Sequence, residues 1–300
     1  MKYSGTSQIY RNSEKYRDLI KDNNFYYLYK HVSLDSSLST LGIFNNHELR
    51  YNYPIAFNDP YDCHFNLTLD YSNISREDVS SLFDIDIPPS DWIYVKQYFL
   101  HKMGLMPQFI NNSFKHLREE TLITCFNSNP LSILMWSHYA NQHTGFMIEF
   151  KIPLNESIFL PLPIRYTNEY PDIKLSFSEF QDILHNSEEN KDLIYKTATS
   201  IFFQKSKEWA YEKEFRLIGN PNWKSKEQID PRLLKFDPKF ISSITLGLNF
   251  NKDYLVHIQS AVSDFNERNN TTVEIFNTSL VKGMYKLEVS NHPRLDKSKP

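Results

Sequence analysis

Glycine is scarce: the chain of 300 residues holds only seven, Gly5, Gly42, Gly104, Gly145, Gly219, Gly247 and Gly283, and no two are close in sequence. Average usage is roughly 7%, about three times as much. A P-loop needs two glycines five apart ahead of Lys-Ser/Thr, and a dinucleotide fingerprint needs three within six residues. Neither spacing occurs, so the two glycine-cradle nucleotide folds are excluded. Any nucleotide held by this chain is held without a glycine-rich phosphate loop.

The rest of the pattern points to a mixed fold. Phe25–Val32 (FYYLYKHV), Leu122–Phe126 (LITCF), Gly145–Phe150 (GFMIEF), Glu212–Ile218 (EKEFRLI) and Ile241–Leu248 (ISSITLGL) read as strands, being rich in aromatic and β-branched residues or alternating in polarity. Shorter strands are expected within Asn45–Tyr53, at Phe65–Leu69, near Ile164, at Val273–Asn277 and at Tyr285–Val289. Helices are expected at Ser13–Lys21, Leu34–Leu41, Ser132–Tyr139, Tyr254–Asn266 and, in pieces, over 75–120 and 176–208. Ser75-x-x-Asp78 and Pro88-Pro89-Ser90 carry helix-start signals. Strands and helices interleave without a steady βαβ period, which predicts a single α+β domain over 25–289. Residues 1–24 are expected to flank it, and 290–300 to form a flexible tail.

Bulk chemistry narrows the function classes. Net charge is −3, so no broad basic field draws the chain to nucleic acid or an anionic membrane. No apolar run approaches a bilayer span, and the N-terminus has no apolar core of signal-peptide length. The two cysteines, Cys63 and Cys125, make no disulfide framework, which fits a cytoplasmic location. His138 and His143, five apart, lack metal-site spacing; no metal is expected.

Three segments carry candidate chemistry. In Phe57-Asn58-Asp59-Pro60-Tyr61-Asp62, the Asx-Pro sequence makes a turn that either serves the fold or sets Asp59 or Asp62 at a cleft. In Met135-Trp136-Ser137-His138-Tyr139, followed by His143, the rings suit either a core or stacking on a base or nicotinamide. In Lys205-x3-Trp209-x2-Glu212-x-Glu214-x-Arg216, a strand would put Glu212, Glu214 and Arg216 on one face. That face is either a solvated ladder or the wall of a polar site.

These segments, in this order and with Leu28-Tyr29-Lys30, Cys125-Phe126 and His143-Thr-Gly145, resemble the bacterial family of unknown function DUF2971 over about residues 25–250. His31 departs from the pattern, standing where a second aromatic is expected. The resemblance implies one unit and one site. It supplies no activity.

The order of elements is also similar to ADP-ribosyltransferase-like proteins, including DNA-modifying toxins. That resemblance implies a split β-sheet with helical insertions and NAD bound in a cleft without a glycine loop. It implies that Glu214 stabilises the oxocarbenium ion as nicotinamide leaves, because positive charge develops at the anomeric carbon. Glu212 would orient the acceptor, a nucleic acid or protein. Lys30 or His31 would meet the NAD phosphates or adenosine ribose, and Tyr51, Tyr53 or Trp136 would stack on nicotinamide. Asn58, Asp59, His138, Tyr139 and Arg216 complete the expected binding wall. The implied setting is a toxin or phage-defence effector that transfers ADP-ribose or hydrolyses NAD. Two other readings stand beside it: a nucleotide or partner sensor without catalysis, and a metal-independent nuclease using Asp59, Asp62 and His138.

Overall fold

A computed structural model describes residues 20–22, 24–104, 118–184, 191–219 and 230–296. The fold is α+β, as the interleaved pattern predicts. Contacts group the chain into two compact units, each discontinuous in sequence. Unit 1 comprises residues 1–52, 122–164 and 208–300; unit 2 comprises 53–121 and 165–207.

Unit 1 is built on a mixed sheet. Its strands are β1 (Ile20–Asp22), β2 (Phe25–Val32), β3 (Ile123–Asn127), β4 (Phe146–Pro153), β5 (Leu162–Pro163), β6 (Glu214–Ile218), β7 (Ile241–Leu246), β8 (Glu274–Leu280) and β9 (Leu287–Val289). The spatial order is β9-β8-β7-β4-β2-β3-β6-β5, with β1 paired to β2. Only β7 and β8 are parallel, and the helix Leu255–Asn269 lies between them in sequence, as a parallel crossover requires. The aromatic β2 lies at the centre, in register with β4 along its whole length from Phe25↔Pro153 to Val32↔Phe146.

The pleat sorts the central side chains onto two faces. Leu28, Lys30, Thr124, Phe126, Ile148, Phe150, Phe215 and Leu217 share one face by their cross-strand registers. It is aromatic: Phe126 packs edge-on against Phe150 at 5.1 Å, and Phe159 against Phe240 at 5.0 Å. Tyr27, Tyr29, His31, Cys125, Asn127, Met147, Glu149, Glu214 and Arg216 share the other face. That face is polar yet buried, with Glu149 and Arg216 both 0% exposed. The short helix Ile133–Tyr139 contributes Trp136 to the apolar cluster there, along with Leu287, Val289 and Leu295.

Unit 2 holds two small parallel pairs, Asn66–Asp70 with Asp172–Ser176 and Arg165–Thr167 with Gln204–Ser206. Helices Arg76–Phe83, Trp92–Gly104, Phe177–Leu184 and Lys191–Phe202 complete its described elements. The Ser75 start signal forms a reciprocal capping box: Ser75 Oγ accepts from Asp78 N–H at 3.0 Å and Asp78 Oδ2 from Ser75 N–H at 2.8 Å. Ile74, Val79, Ile87, Phe99 and Phe177 form a core beside it.

Four sequence expectations are corrected. Lys21 lies in β1 rather than in a helix, and the rest of the expected Ser13–Lys21 helix lies outside the described residues. Residues 172–176 form a strand ahead of the helical stretch expected from 176. Glu212 ends a 3-10 segment, Lys207–Glu212, and β6 begins only at Glu214. Lys213 between them takes φ 46, which interrupts the extended backbone. The segment 290–296 is not a loose tail: His292 is 0% and Leu295 6% exposed, and Arg294 pairs with Glu149. Residues 297–300 lie outside the described residues.

Candidate functional site

The three motif segments are divided between the units: residues 57–62 and Lys205 belong to unit 2, and residues 135–143 and 209–216 to unit 1. In unit 1, the helix Ile133–Tyr139 starts with Ser132 Oγ accepting from Met135 N–H at 3.4 Å. That start sets Trp136 inward and leaves His138 exposed. Trp136 is 0% exposed and its indole N–H donates to the Pro130 carbonyl at 2.8 Å. In this conformation it offers no ring face to a ligand, which corrects its assignment to nicotinamide stacking. Tyr51, also buried, is corrected in the same way.

His31 is tied into the same polar layer. Its Nδ1 lies 3.0 Å from Asn127 Nδ2, an obligate donor, so Nδ1 accepts; Nε2–H then donates to the Pro130 carbonyl at 3.3 Å. Burial pushes the imidazole down to about 3, so it is neutral at physiological pH. A buried, neutral ring with both nitrogens engaged is a structural pin, and its assignment to phosphate binding is corrected.

Lys30 projects from the opposite, aromatic face. Its ammonium donates to Thr124 Oγ1 at 2.8 Å and to the Cys125 carbonyl at 3.0 Å, 5.5 Å from the Phe126 ring centroid. Burial lowers its pKa, and the field of Cys125 and then Glu214 opposes that. Lys30 thus starts from the face opposite Glu214 and Arg216, and its ammonium is held by Thr124 and the Cys125 carbonyl within reach of the Glu214 field.

The carboxylates differ from one another. Glu214 is 5% exposed, and its Oε1 accepts from Arg216 Nε at 2.6 Å. The buried pair leaves no solvated ladder on β6. Beside it, burial and then the Glu214 charge hold the Cys125 thiol well above its usual range. Glu212, off the strand and 2% exposed, accepts a hydrogen bond from the Tyr139 hydroxyl at 2.5 Å. Around that contact lie half-buried Tyr139, Tyr211 and Trp209 and the exposed His138. Ring centroids are 6.3 Å apart for His138 and Tyr211 and 6.0 Å for Trp209 and Tyr211. Two of the expected positions, Tyr139 and Glu212, thus meet directly. Tyr211 was missed as a ligand-facing candidate, although its place three residues before Glu214 signalled it.

Tyr53, Asn58 and Asp59 belong to unit 2. Asn58 is exposed and Tyr53 half-buried. Asp59, 6% exposed, uses Oδ1 to accept from Tyr61 N–H at 2.9 Å, closing the Asx turn that the sequence predicts. Asp62 faces Lys205 at 3.7 Å, both side chains buried. Among the described residues no three His, Cys, Asp or Glu side chains group as a metal-ligand set, and no helix is long and apolar enough to cross a membrane.

Trp136, the aromatic ring group and the Glu212–Arg216 segment all fall within one matched stretch. Residues 135–217 match the family model described as "Protein of unknown function (DUF2971)". The DUF2971 resemblance is borne out there. No curated protein and no solved structure matches the chain. The DUF2971 stretch thus contains both carboxylates of the site and the rings that surround Glu212.

Proposed function

We propose that the Tyr139–Glu212 contact marks a binding site for a flat-ringed, hydroxylated ligand of the nucleotide class, and that NAD is its natural member. The observation carrying this reading is the buried carboxylate that holds the Tyr139 hydroxyl among partly accessible rings. Tyr139 donates to Glu212, and a phenol hydroxyl, being both donor and acceptor, is the kind of group that recognises a ribose hydroxyl or an amide N–H. The rings of His138 and Tyr211 give planar surface for a base or nicotinamide. Such a site supports ADP-ribosyl transfer or NAD hydrolysis if a carboxylate reaches the anomeric carbon. Glu212 is the better placed of the two for that role, because Glu214 is committed to Arg216.

The Glu214–Arg216 pair favours a second reading, a sensor that binds without turnover. Titration of the full chain with NAD by calorimetry, followed by an assay for released nicotinamide, separates the two. Binding with nicotinamide release that Glu212→Gln abolishes supports the enzyme. Binding without release, weakened at least tenfold by Tyr139→Phe, supports the sensor. No binding of NAD or of any mononucleotide overturns both.

A further inference from the structure

Unit 2 contains a small cleft of about 50 Å³ that the nucleotide reading does not use. Asp59, Tyr61, His64, Glu169, Tyr170 and Lys205 are among its lining residues. It gathers two motifs far apart in sequence, the Asn58-Asp59-Pro60-Tyr61-Asp62 turn and Lys205, which the parallel pairing of Arg165–Thr167 with Gln204–Ser206 holds in register. His64 lies against Tyr170 with ring centroids 5.7 Å apart and planes 29° apart, and 6.3 Å from Tyr61. Tyr61 and Tyr170 are 65% and 43% exposed, so both rings remain open to solvent.

The hydrogen-bond inventory is incomplete in one direction. Arg118 NH1 lies 3.5 Å from His64 Nε2. A guanidinium only donates, so Nε2 is the acceptor and the neutral ring carries its proton on Nδ1. That Nδ1–H is buried without a partner, and so is Arg118 Nε–H. Two buried N–H groups in contacting side chains therefore both lack an acceptor. Leaving such donors unmade is costly, and buried polar groups of this kind call for an outside partner. The charges agree: Lys205 is offset by Asp62, whereas Arg118 forms no ion pair with a carboxylate among the described residues. Asp59 and Glu169 add acceptors at the same cleft, suited to hydroxyl groups.

We propose that the cleft is a ligand site for a small hydroxylated oxyanion, whose carboxylate or phosphate oxygens take the His64 Nδ1–H, with the Arg118 guanidinium behind His64 supplying positive charge, while its hydroxyls face Asp59 and Glu169. The sugar part would lie against Tyr61 and Tyr170. This reading is independent of the Tyr139–Glu212 site.

Calorimetry and thermal shift on the full chain test it, with ribose 5-phosphate and inorganic phosphate as phosphate probes, glucuronate as the carboxylate probe and ribose as the neutral control. The expected result is saturable binding of ribose 5-phosphate or of glucuronate, with ribose not binding. Which of the two binds identifies the source of the oxyanion. Binding weakens at least tenfold in both Arg118→Met and His64→Phe. Each variant removes one long 3.5 Å contact and one N–H that bonds nothing in the free protein, so its unliganded melting temperature stays within about 2 °C of the parent. Glu212→Gln leaves this binding unchanged while impairing the nucleotide site, so failure of one reading is distinguishable from failure of the other. The proposal is overturned if neither anionic sugar binds, which would assign the two donors to water. Equal binding of ribose, or full binding retained in both variants, overturns it as well. So does a drop of several degrees in both unliganded variants without an effect on ligand, which would make the His64–Arg118 contact purely structural.

Discussion

The charge buried under the C-terminal segment gives the sharpest test of how unit 1 holds together. Glu149 sits in the middle of β4 at 0% exposure, and the Arg294 side chain that meets it is 20% exposed. Arg294 Nε reaches Glu149 Oε2 at 2.9 Å, and NH2 contacts Oε1 and donates to Ser242 Oγ at 3.0 Å. The guanidinium also lies 4.2 Å from the Tyr27 ring centroid. Breaking a buried ion pair from one side costs about 3–5 kcal/mol, because the other charge is stranded. Ser243 Oγ, 3.2 Å from Glu149, remains as a donor and moves the expectation to the lower end. Arg294→Met is therefore expected to cost about 3 kcal/mol, or about 6 °C in melting temperature for a chain of this size. Denaturant titration with intrinsic fluorescence and calorimetry would read it. Glu149→Gln removes the stranded charge, so Glu149→Gln/Arg294→Met should be more stable than the sum of the single losses implies. An Arg294→Met melting temperature within about 1 °C of the parent, or strictly additive losses, would refute this role of the Arg294–Glu149 pair.

Three further outcomes follow. His31 stays neutral down to about pH 3, whereas an unfolded histidine protonates near 6.5. The unfolded state thus binds more protons between those values, so stability is full above about pH 6.5 and falls with pH by about 1.4 kcal/mol per unit, or about 2 kcal/mol at pH 5. Urea midpoints at pH 7 and pH 5 should show it, and His31→Phe should flatten the slope; an unchanged slope would sink the assignment. A Cβ on Gly145 would stand 2.1 Å from the Val32 carbonyl oxygen, and one on Gly247 2.1 Å from that of His143. Either alanine should cost about 3 kcal/mol or more, whereas Gly42→Ala, whose nearest neighbour is a side-chain atom at 3.8 Å, should be within about 0.5 kcal/mol of neutral in the same melting assay. Lys30→Met, on the aromatic face, should leave nucleotide binding intact, while Tyr139→Phe weakens it; equal losses in titration would contradict the separation of faces.

The sequence made the central strands legible because burial on both sides leaves a dense apolar or aromatic run, as in Phe25–Val32 and Phe146–Phe150. Ser75 and Asp78 were legible because a capping box is local. The order of strands was not, since β2 finds β3 and β4 only after about a hundred residues of intervening chain, and no local pattern encodes that pairing. The site was half legible. Glu212 and Glu214 look alike in an alternating string, yet Lys213 with φ 46 turns one out of the strand and leaves the other bonded to Arg216. Arg294 and His292 were hidden because a basic, proline-containing terminus has the composition of a tail, and only the tertiary position of Glu149 gives it a reason to dock.

The central place of β2 has a consequence for biosynthesis. This strand is among the first described segments to leave the ribosome, yet its full-length partner, β4, begins at Phe146. At about 5–20 residues per second, roughly 5–20 s separate the two. During that interval FYYLYKHV, beyond the Phe25 and Tyr26 that β1 can pair, is an exposed edge rich in aromatic residues with one Lys as gatekeeper, the kind of segment that associates with copies of itself. Yield of soluble protein should therefore depend on translation speed and temperature more than the stability of the finished sheet would indicate.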